Sequence, residues 1–338
     1  MRLLPLSSAS AASAASAVLV LALLPSSSAL AAGPEGAGAS SFTISDPRIK
    51  ESSGLAASRL HPGVYWTHND SDDGPYVYAV DSATGKTVAR ITLTGIGRPR
   101  DVEAISLGPD GQLYVGDIGD NKDGTWDHVW IYRFPEPKVL GDATVKAAQF
   151  TVKYADGPRN AEALMVHPVT GRVYIASKHE STGGLYEGPE RLSASGPNVF
   201  RRVADVPWVT DGAFSPDGSR LALRGYFTAR TYAWKDGRPE GEGERADAPW
   251  QGQAESVTYA ADGSALMFGS EGGTSRVVAV PLAAATASPA PPKPGSPPEA
   301  APSPEPTGSF GKGALVLAGA LALTFAAKRL FRRRRSTH

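Results

Sequence analysis

The sequence predicts an all-β protein, and within that class a five-bladed β-propeller. Three observations carry the prediction. Short runs of alternating apolar residues recur through the middle of the chain, among them "GQLYVGD", "HVWIYRF", "GRVYIAS", "SRLALRG", "TARTYAW", "ALMFGS" and "SRVVAV". Turn residues separate these runs, and helical periodicity is almost absent. The first run of each group also carries a common pattern: an acid, then small and apolar residues, then a tight turn.

Five such starts are present: "ESSGLAASRLHPG" (51–63), "DVEAISLGPDG" (101–111), "NAEALMVHPVTG" (160–171), "TDGAFSPDG" (210–218) and "QAESVTYAADG" (253–263). Each runs into Pro62-Gly63, Asp110-Gly111, Thr170-Gly171, Asp217-Gly218 or Asp262-Gly263. Such pairs suit primed hairpin turns, whose central residues need positive φ. A period of about 45–60 residues fits one four-stranded sheet per repeat. The last repeat has room for three strands, so "SSFTISD" near residue 41 is expected to supply its outer strand. "ATVKAAQFTVKYAD" is read as the outer strand of the second blade. A short sixth blade within 135–158 is the variant of this scheme, and a two-sheet sandwich is the competing architecture.

The segments around residues 41–283 read differently. Residues 1–31 have one Arg, an apolar run from Ala17 to Leu24 and a small-residue Ala29-Leu30-Ala31 site, the pattern of a secretory signal. The run falls well short of the roughly 20 residues needed to span a bilayer. Residues 32–40 are a flexible lead. Residues 284–308 are a Pro/Ala/Ser tract expected to form a semi-extended stalk. An apolar stretch within 309–331 is expected to be a single membrane helix, and Arg332 to Arg335 in the tail 332–338 set the cytoplasmic side. The layout also resembles a sortase cell-wall signal, with Pro304-Glu305-Pro306-Thr307-Gly308 in the pentapeptide position but without its Leu-Pro start. The favoured localisation is therefore the cell membrane, with the propeller outside. Cysteine is absent, so an exported domain must rest on its core and thiolate zinc sites are excluded.

The formal charge of zero hides a segregation. Residues 33–285 hold 25 Lys and Arg against 32 Asp and Glu, a net of −7, while the basic excess lies at the C-terminus. That balance argues against a nucleic-acid partner for the propeller.

In an up-and-down blade the start of the first strand and the end of the second share a face. One polar mouth should therefore collect the strand starts Glu51, Asp101, Glu103, Asn160, Glu162, Asp211 and Glu255. The loops "THNDSDDG" (67–74), "GDIGDNKDG" (116–124), "SKHESTGG" (177–184), "LRGYFTAR" (223–230) and "GSEGGTS" (269–275) should meet them there. The candidate metal ligands are Asn69, Asp70, Glu103, Asp117, Asp120, Asn121, Glu162 and Asp211. Their hard oxygens favour Ca²⁺ or Mg²⁺, and Ca²⁺ is the expected cofactor. Neither acidic loop is an EF-hand, since counting back from Gly74 gives Asn69 and Ser71 at positions one and three and no closing Glu. A cation site would have to be assembled between blades. The competing reading makes these Asp and Asn residues turn caps. Lys178, His179, Arg224, Glu255 and Glu271 are candidate ligand-binding residues, and His68 is a candidate ligand or base. No G-x-S-x-G elbow and no Gly-rich phosphate loop occurs.

The runs "DVEAISLGPDGQLYVGDIGDN" and "WTHNDSDDGPYVYAVDSATGK" resemble exported bacterial propeller proteins of largely unassigned activity, described as WD40-like or phytase-like (esterase-like). The similarity spans roughly 50–283, with Glu103 and Asp117 to Asn121 as its most specific part. It implies a propeller with an acidic, Ca²⁺-binding top and a phosphorylated or ester substrate. The repeated Trp-Asp and Gly-His pairs of true WD40 repeats are missing, and basic residues on the expected top are few. The expected function is a membrane-anchored extracellular binding module, a monomer whose partner is an extracellular protein, a glycan or an anionic small molecule. The alternative is a calcium-dependent phosphoesterase or esterase with Lys178 and Arg224 as anion clamps.

Overall fold

In the computed structural model the described residues are 39–71, 73–122 and 124–283. The signal peptide, stalk, membrane helix and basic tail expected from the sequence lie outside them, as does most of the lead. All regular structure among the described residues is strand. The first antiparallel meander runs β2 (Ser52–Ala57), β3 (Val64–Asn69), β4 (Tyr76–Asp81), β5 (Thr87–Thr94). The second is β6 (Val102–Leu107), β7 (Gln112–Asp117), β8 (Val129–Pro135) and β10 (Ala148–Tyr154). The third is β11 (Ala161–Val166), β12 (Val173–Ser177), β13 (Gly183–Glu187) and β14 (Asn198–Val206). Next come β15 (Asp211–Phe214), β16 (Arg220–Arg224), β17 (Ala229–Lys235) and β18 (Arg238–Ala246). The last three strands, β19 (Ala254–Tyr259), β20 (Ala265–Ser270) and β21 (Arg276–Pro281), are completed by β1 (Phe42–Thr43), which pairs Phe42 with Val277.

The first strands of the meanders lie side by side in a closed cycle: β2 beside β6, β6 beside β11, β11 beside β15, β15 beside β19, and β19 beside β2. The apolar core follows the same cycle, in layers between neighbouring sheets. Trp66, Ile91, Leu113 and Phe134 fill one layer, and Ile131, Leu164, Ile175 and Phe200 fill the next. Met165, Leu185 and Leu221 fill a third, Val257 and Phe268 a fourth, and Ile44, Leu55, Tyr78 and Met267 close the circuit. Sheets that bury both faces against like neighbours around an axis form a β-propeller.

Two features differ from the sequence expectation. Residues 142–155 form two strands, and the first of them, β9 (Ala143–Lys146), crosses to the neighbouring meander and pairs in parallel with β5, Ile91 opposite Ala143. A free outer edge exposes unpaired N–H and C=O groups, and β9 covers part of the β5 edge. β10 pairs in parallel with β14 on its other side, which joins the second and third meanders into one eight-stranded sheet. The tight turns are also not primed. Gly111, Gly218 and Gly263 have φ of 69°, 74° and 74°, whereas the Asp before each is not left-handed. Those Asp side chains instead accept from the backbone two residues on, Asp217 from Ser219 N at 3.0 Å and Asp262 from Ser264 N at 2.9 Å. An Asx turn closed by one left-handed glycine has replaced the two positive-φ residues of a primed turn.

Candidate functional site

The inner strands approach closely at the mouth because each carries a small residue there. These are Gly54, Ala104, Ala163, Gly212 and Ser256, one per first strand. A Cβ on Gly54 would fall 2.6 Å from His68 Nε2 and 2.8 Å from Ile105 N, so that position admits no side chain without a shift. Immediately before each small residue stands a polar one: Ser53, Glu103, Glu162, Asp211 and Glu255. All are buried, with 1 to 4% of their surface exposed. The repeat therefore places four carboxylic acids and a hydroxyl at equivalent positions around the axis.

On one side of this ring, ligand oxygens of Asp70, Asp101 and Glu103 all lie within 4.8 Å of one another, each residue buried. Asp70 directly follows the second strand of its blade, while Asp101 and Glu103 stand at the opening of the next blade. The triad is assembled between blades. Ser53 Oγ donates to Glu103 Oε2 at 3.2 Å, and Asn121 Nδ2 donates to Asp101 Oδ2 at 2.7 Å. Gly119 lies against both carboxylates, for a Cβ there would sit 2.6 Å from Asp101 Oδ2 and 2.7 Å from Glu103 Oε1. Burial, reinforced by the negative charges of Asp70, Glu162 and Asp101, pushes the Glu103 carboxyl well above the usual carboxylate range. Burial likewise raises Asp211, although Val257 N and Gly212 N donate to it at 2.8 and 2.7 Å.

Three other residues named from the sequence are engaged with protein partners. Asp117 accepts from Asp101 N at 2.9 Å, Arg100 N at 3.0 Å and Tyr132 Oη at 2.5 Å. Asp120 accepts from Lys122 N at 3.3 Å and Trp126 N at 2.5 Å, and so caps its own loop. Asn69 Oδ1 accepts from Lys50 N and Glu51 N, while its Nδ2 donates to Arg48 O and Asp73 Oδ2. These three hold the loops in place, and the triad is what they leave at the mouth. Arg100, sandwiched 4.0 Å from the Trp126 ring and 3.8 Å from Trp130, pins the same loop from the other side.

The cations are similarly committed. Lys178 Nζ lies 2.9 Å from Glu162 Oε1 and donates to Tyr226 Oη at 2.8 Å. Burial alone would lower its pKa, but Glu162, Glu255 and Glu103 outweigh that and raise it well above the ordinary value. Arg224, 1% exposed, donates from Nη1 to Ser256 O and Gly269 O at 2.7 Å each, and from Nη2 to Gln251 Oε1 at 2.8 Å. It is a strut to the neighbouring blade. His179 is exposed, its Nδ1 3.0 Å from Ser181 Oγ. Glu271 accepts from Gln253 Nε2 at 2.9 Å. His68 is buried over Gly54, its Nδ1 3.1 Å from Asn69 O, and burial holds its pKa down to about 4.

Sequence reasoning names Asp70 and Glu103 as metal ligands and Asp101 only as a strand start, and it does not single out Ser53 or Tyr226. Aligning the five starts column by column exposes Ser53 and the ring. Tyr226 left no such signal, because it lies in a loop without a repeat partner.

No family model matches the chain, and no curated protein matches it. Among solved structures it is similar to the PQQ-bound form of an aldose sugar dehydrogenase from Streptomyces coelicolor. The identity is 12% and the TM-score 0.41, over 71% of this chain and 98% of that one. It is also similar to Kuenenia stuttgartiensis hydrazine synthase, with 14% identity and a TM-score of 0.37, over 64% of this chain and 60% of that one.

Proposed function

We propose that the protein is a five-bladed propeller acting as an extracellular binding module, and that its mouth holds a divalent cation, Ca²⁺ in first place, on Asp70, Asp101 and Glu103. The observation that carries this reading is the convergence of three buried carboxylates within 4.8 Å. Three like charges removed from water need either a proton or a cation between them. The donors are hard oxygens, with no Cys anywhere in the chain, which suits Ca²⁺ or Mg²⁺ rather than a soft metal. Bound there, a Ca²⁺ ion would tie the end of one blade's second strand to the start of the next blade. The apolar segment and Arg cluster at the C-terminus support display of the propeller from the outer membrane surface.

The phosphoesterase alternative needs Lys178 and Arg224 free to clamp an anion, and both are bound to protein acceptors. A binding module is preferred on that ground. Calorimetric titration with Ca²⁺ tests the site: one ion per chain is expected, lost in Glu103→Gln and Asp101→Asn. Titration without heat or saturation in the wild-type protein overturns it.

A further inference from the structure

The second meander holds a cavity that the acidic mouth does not use. β8 and β10 pair as far as Val129 opposite Val152, and there they part, because β10 goes on alongside β14 with Tyr154 opposite Phe200. The gap is a cavity of about 230 Å³, walled by Trp126, Val129, Val152, Tyr154 and Pro158. Asp127, His128 and Lys153 line it as well. Their side chains are 75%, 31% and 44% exposed, which places them at its rim.

Two properties of this lining define an occupant. Tyr154 is 8% exposed, and its hydroxyl has no hydrogen-bond partner among the described residues. Other tyrosines of the fold find an acid: Tyr114, Tyr174 and Tyr186 donate to Asp110, Glu187 and Asp156 at 3.0 Å each. A buried hydroxyl left unpaired costs free energy that a ligand can recover. Burial also raises the Tyr154 phenol above its ordinary pKa, so it stays protonated and offers both a donor and an acceptor. The charges at the rim, by contrast, answer one another. Asp127 Oδ1 lies 2.5 Å from His128 Nδ1, and its Oδ2 lies 3.5 Å from Lys153 Nζ, so the rim offers no lone charge to select an ion. We propose that this cavity binds a small neutral ring compound with one hydroxyl, of the phenol class, its ring against Trp126 and the two valines and its hydroxyl on Tyr154 Oη. The volume lies below the roughly 300 Å³ at which drug-sized pockets begin, which limits the occupant to a single ring. An apolar lining with one placed polar group is the usual means by which such a pocket orients its ligand. The site requires neither the divalent cation nor the binding-module reading.

The test is saturation-transfer NMR of p-cresol, toluene and 4-methylbenzoate in the presence of the full chain. The three share a methylated ring and differ in carrying a hydroxyl, no polar group or a carboxylate. Saturable binding is expected, tightest for p-cresol. Tyr154→Phe should weaken p-cresol about fivefold, the share of one hydrogen bond, and leave toluene unchanged. Trp126→Ala should weaken both, and any signal that survives in it is non-specific partitioning to be subtracted. The same Tyr154→Phe variant also reports on the empty protein. Removing a hydroxyl that has no partner should not lower the melting temperature, whereas removing one that is paired within the fold would. No saturation by p-cresol, equal p-cresol affinity in the wild type and Tyr154→Phe, tighter binding of 4-methylbenzoate, or a lowered melting temperature in Tyr154→Phe would each overturn the proposal.

Discussion

Gly119 and Asp101 are in contact through the glycine's missing side chain: a Cβ at 119 would lie 2.6 Å from Asp101 Oδ2, and Gly119 N donates to Asp101 O at 3.1 Å. The loop that opens "GDIGDN" thus closes over the carboxylate it serves. Gly119→Ala should push Asp101 and Glu103 out of register and cost about 1–3 kcal/mol, the usual range for overpacking a filled site. Ca²⁺ affinity should fall with it, and calorimetry on the variant checks both.

Asp117 ends β7 just ahead of that loop and does different work. It accepts from two backbone N–H groups and from Tyr132 Oη with none of its surface exposed. Asp117→Ala leaves those donors unpaired and should cost about 3 kcal/mol or more. Tyr132→Phe removes one partner and should cost about 1 kcal/mol. Urea melts should show the same loss with and without Ca²⁺, in contrast to Glu103→Gln.

Lys178 and Glu162 form a nearly buried ion pair, with 14% and 3% of the side chains exposed. Lys178→Met strands Glu162 among Glu103 and Glu255 and should destabilise by about 3–5 kcal/mol. Lys178→Met with Glu162→Gln should recover most of that, because neither charge is then left alone. A double-mutant cycle in urea measures the difference.

Much of this fold was legible because the repeat is written in the first strands: "DVEAIS", "NAEALM" and "QAESVT" align an acid ahead of a small residue, and the structure sets those columns side by side around the axis. Closure of the final sheet by the N-terminal strand followed from counting strands, and Phe42 opposite Val277 shows it. The crossing of β9 to its neighbour was not legible. "ATVK" and "AQFTVKY" alternate as one run, and only the open edge of β5 divides them. Within the site, alternation could place Asp117 and Asp120 at the mouth, but which oxygens meet protein donors depends on loop geometry that spacing does not encode.

Acidity should act on His68 and on the acids with opposite signs. His68 is held at about 4 in the fold against an ordinary value of 6.5, so below 6.5 the unfolded chain takes up a proton that the folded chain refuses. Stability should fall as pH drops from 6.5 to 4, by up to about 3 kcal/mol, and His68→Gln should flatten that slope. Glu103 is raised instead, so its stabilising proton is lost as pH climbs above the ordinary 4.5 toward its folded value. Ca²⁺ should offset that loss, and urea melts across pH with and without the ion resolve the two terms.

The most direct test of a divalent cation at the mouth is the melting temperature of the purified protein in Ca²⁺ and in EDTA, with Glu103→Gln and Asp117→Asn alongside. The predicted result is a rise with Ca²⁺ in the wild type that Glu103→Gln abolishes and that Asp117→Asn keeps from a lower starting point. A wild-type melting temperature indifferent to Ca²⁺, or a rise undiminished in Glu103→Gln, would contradict it.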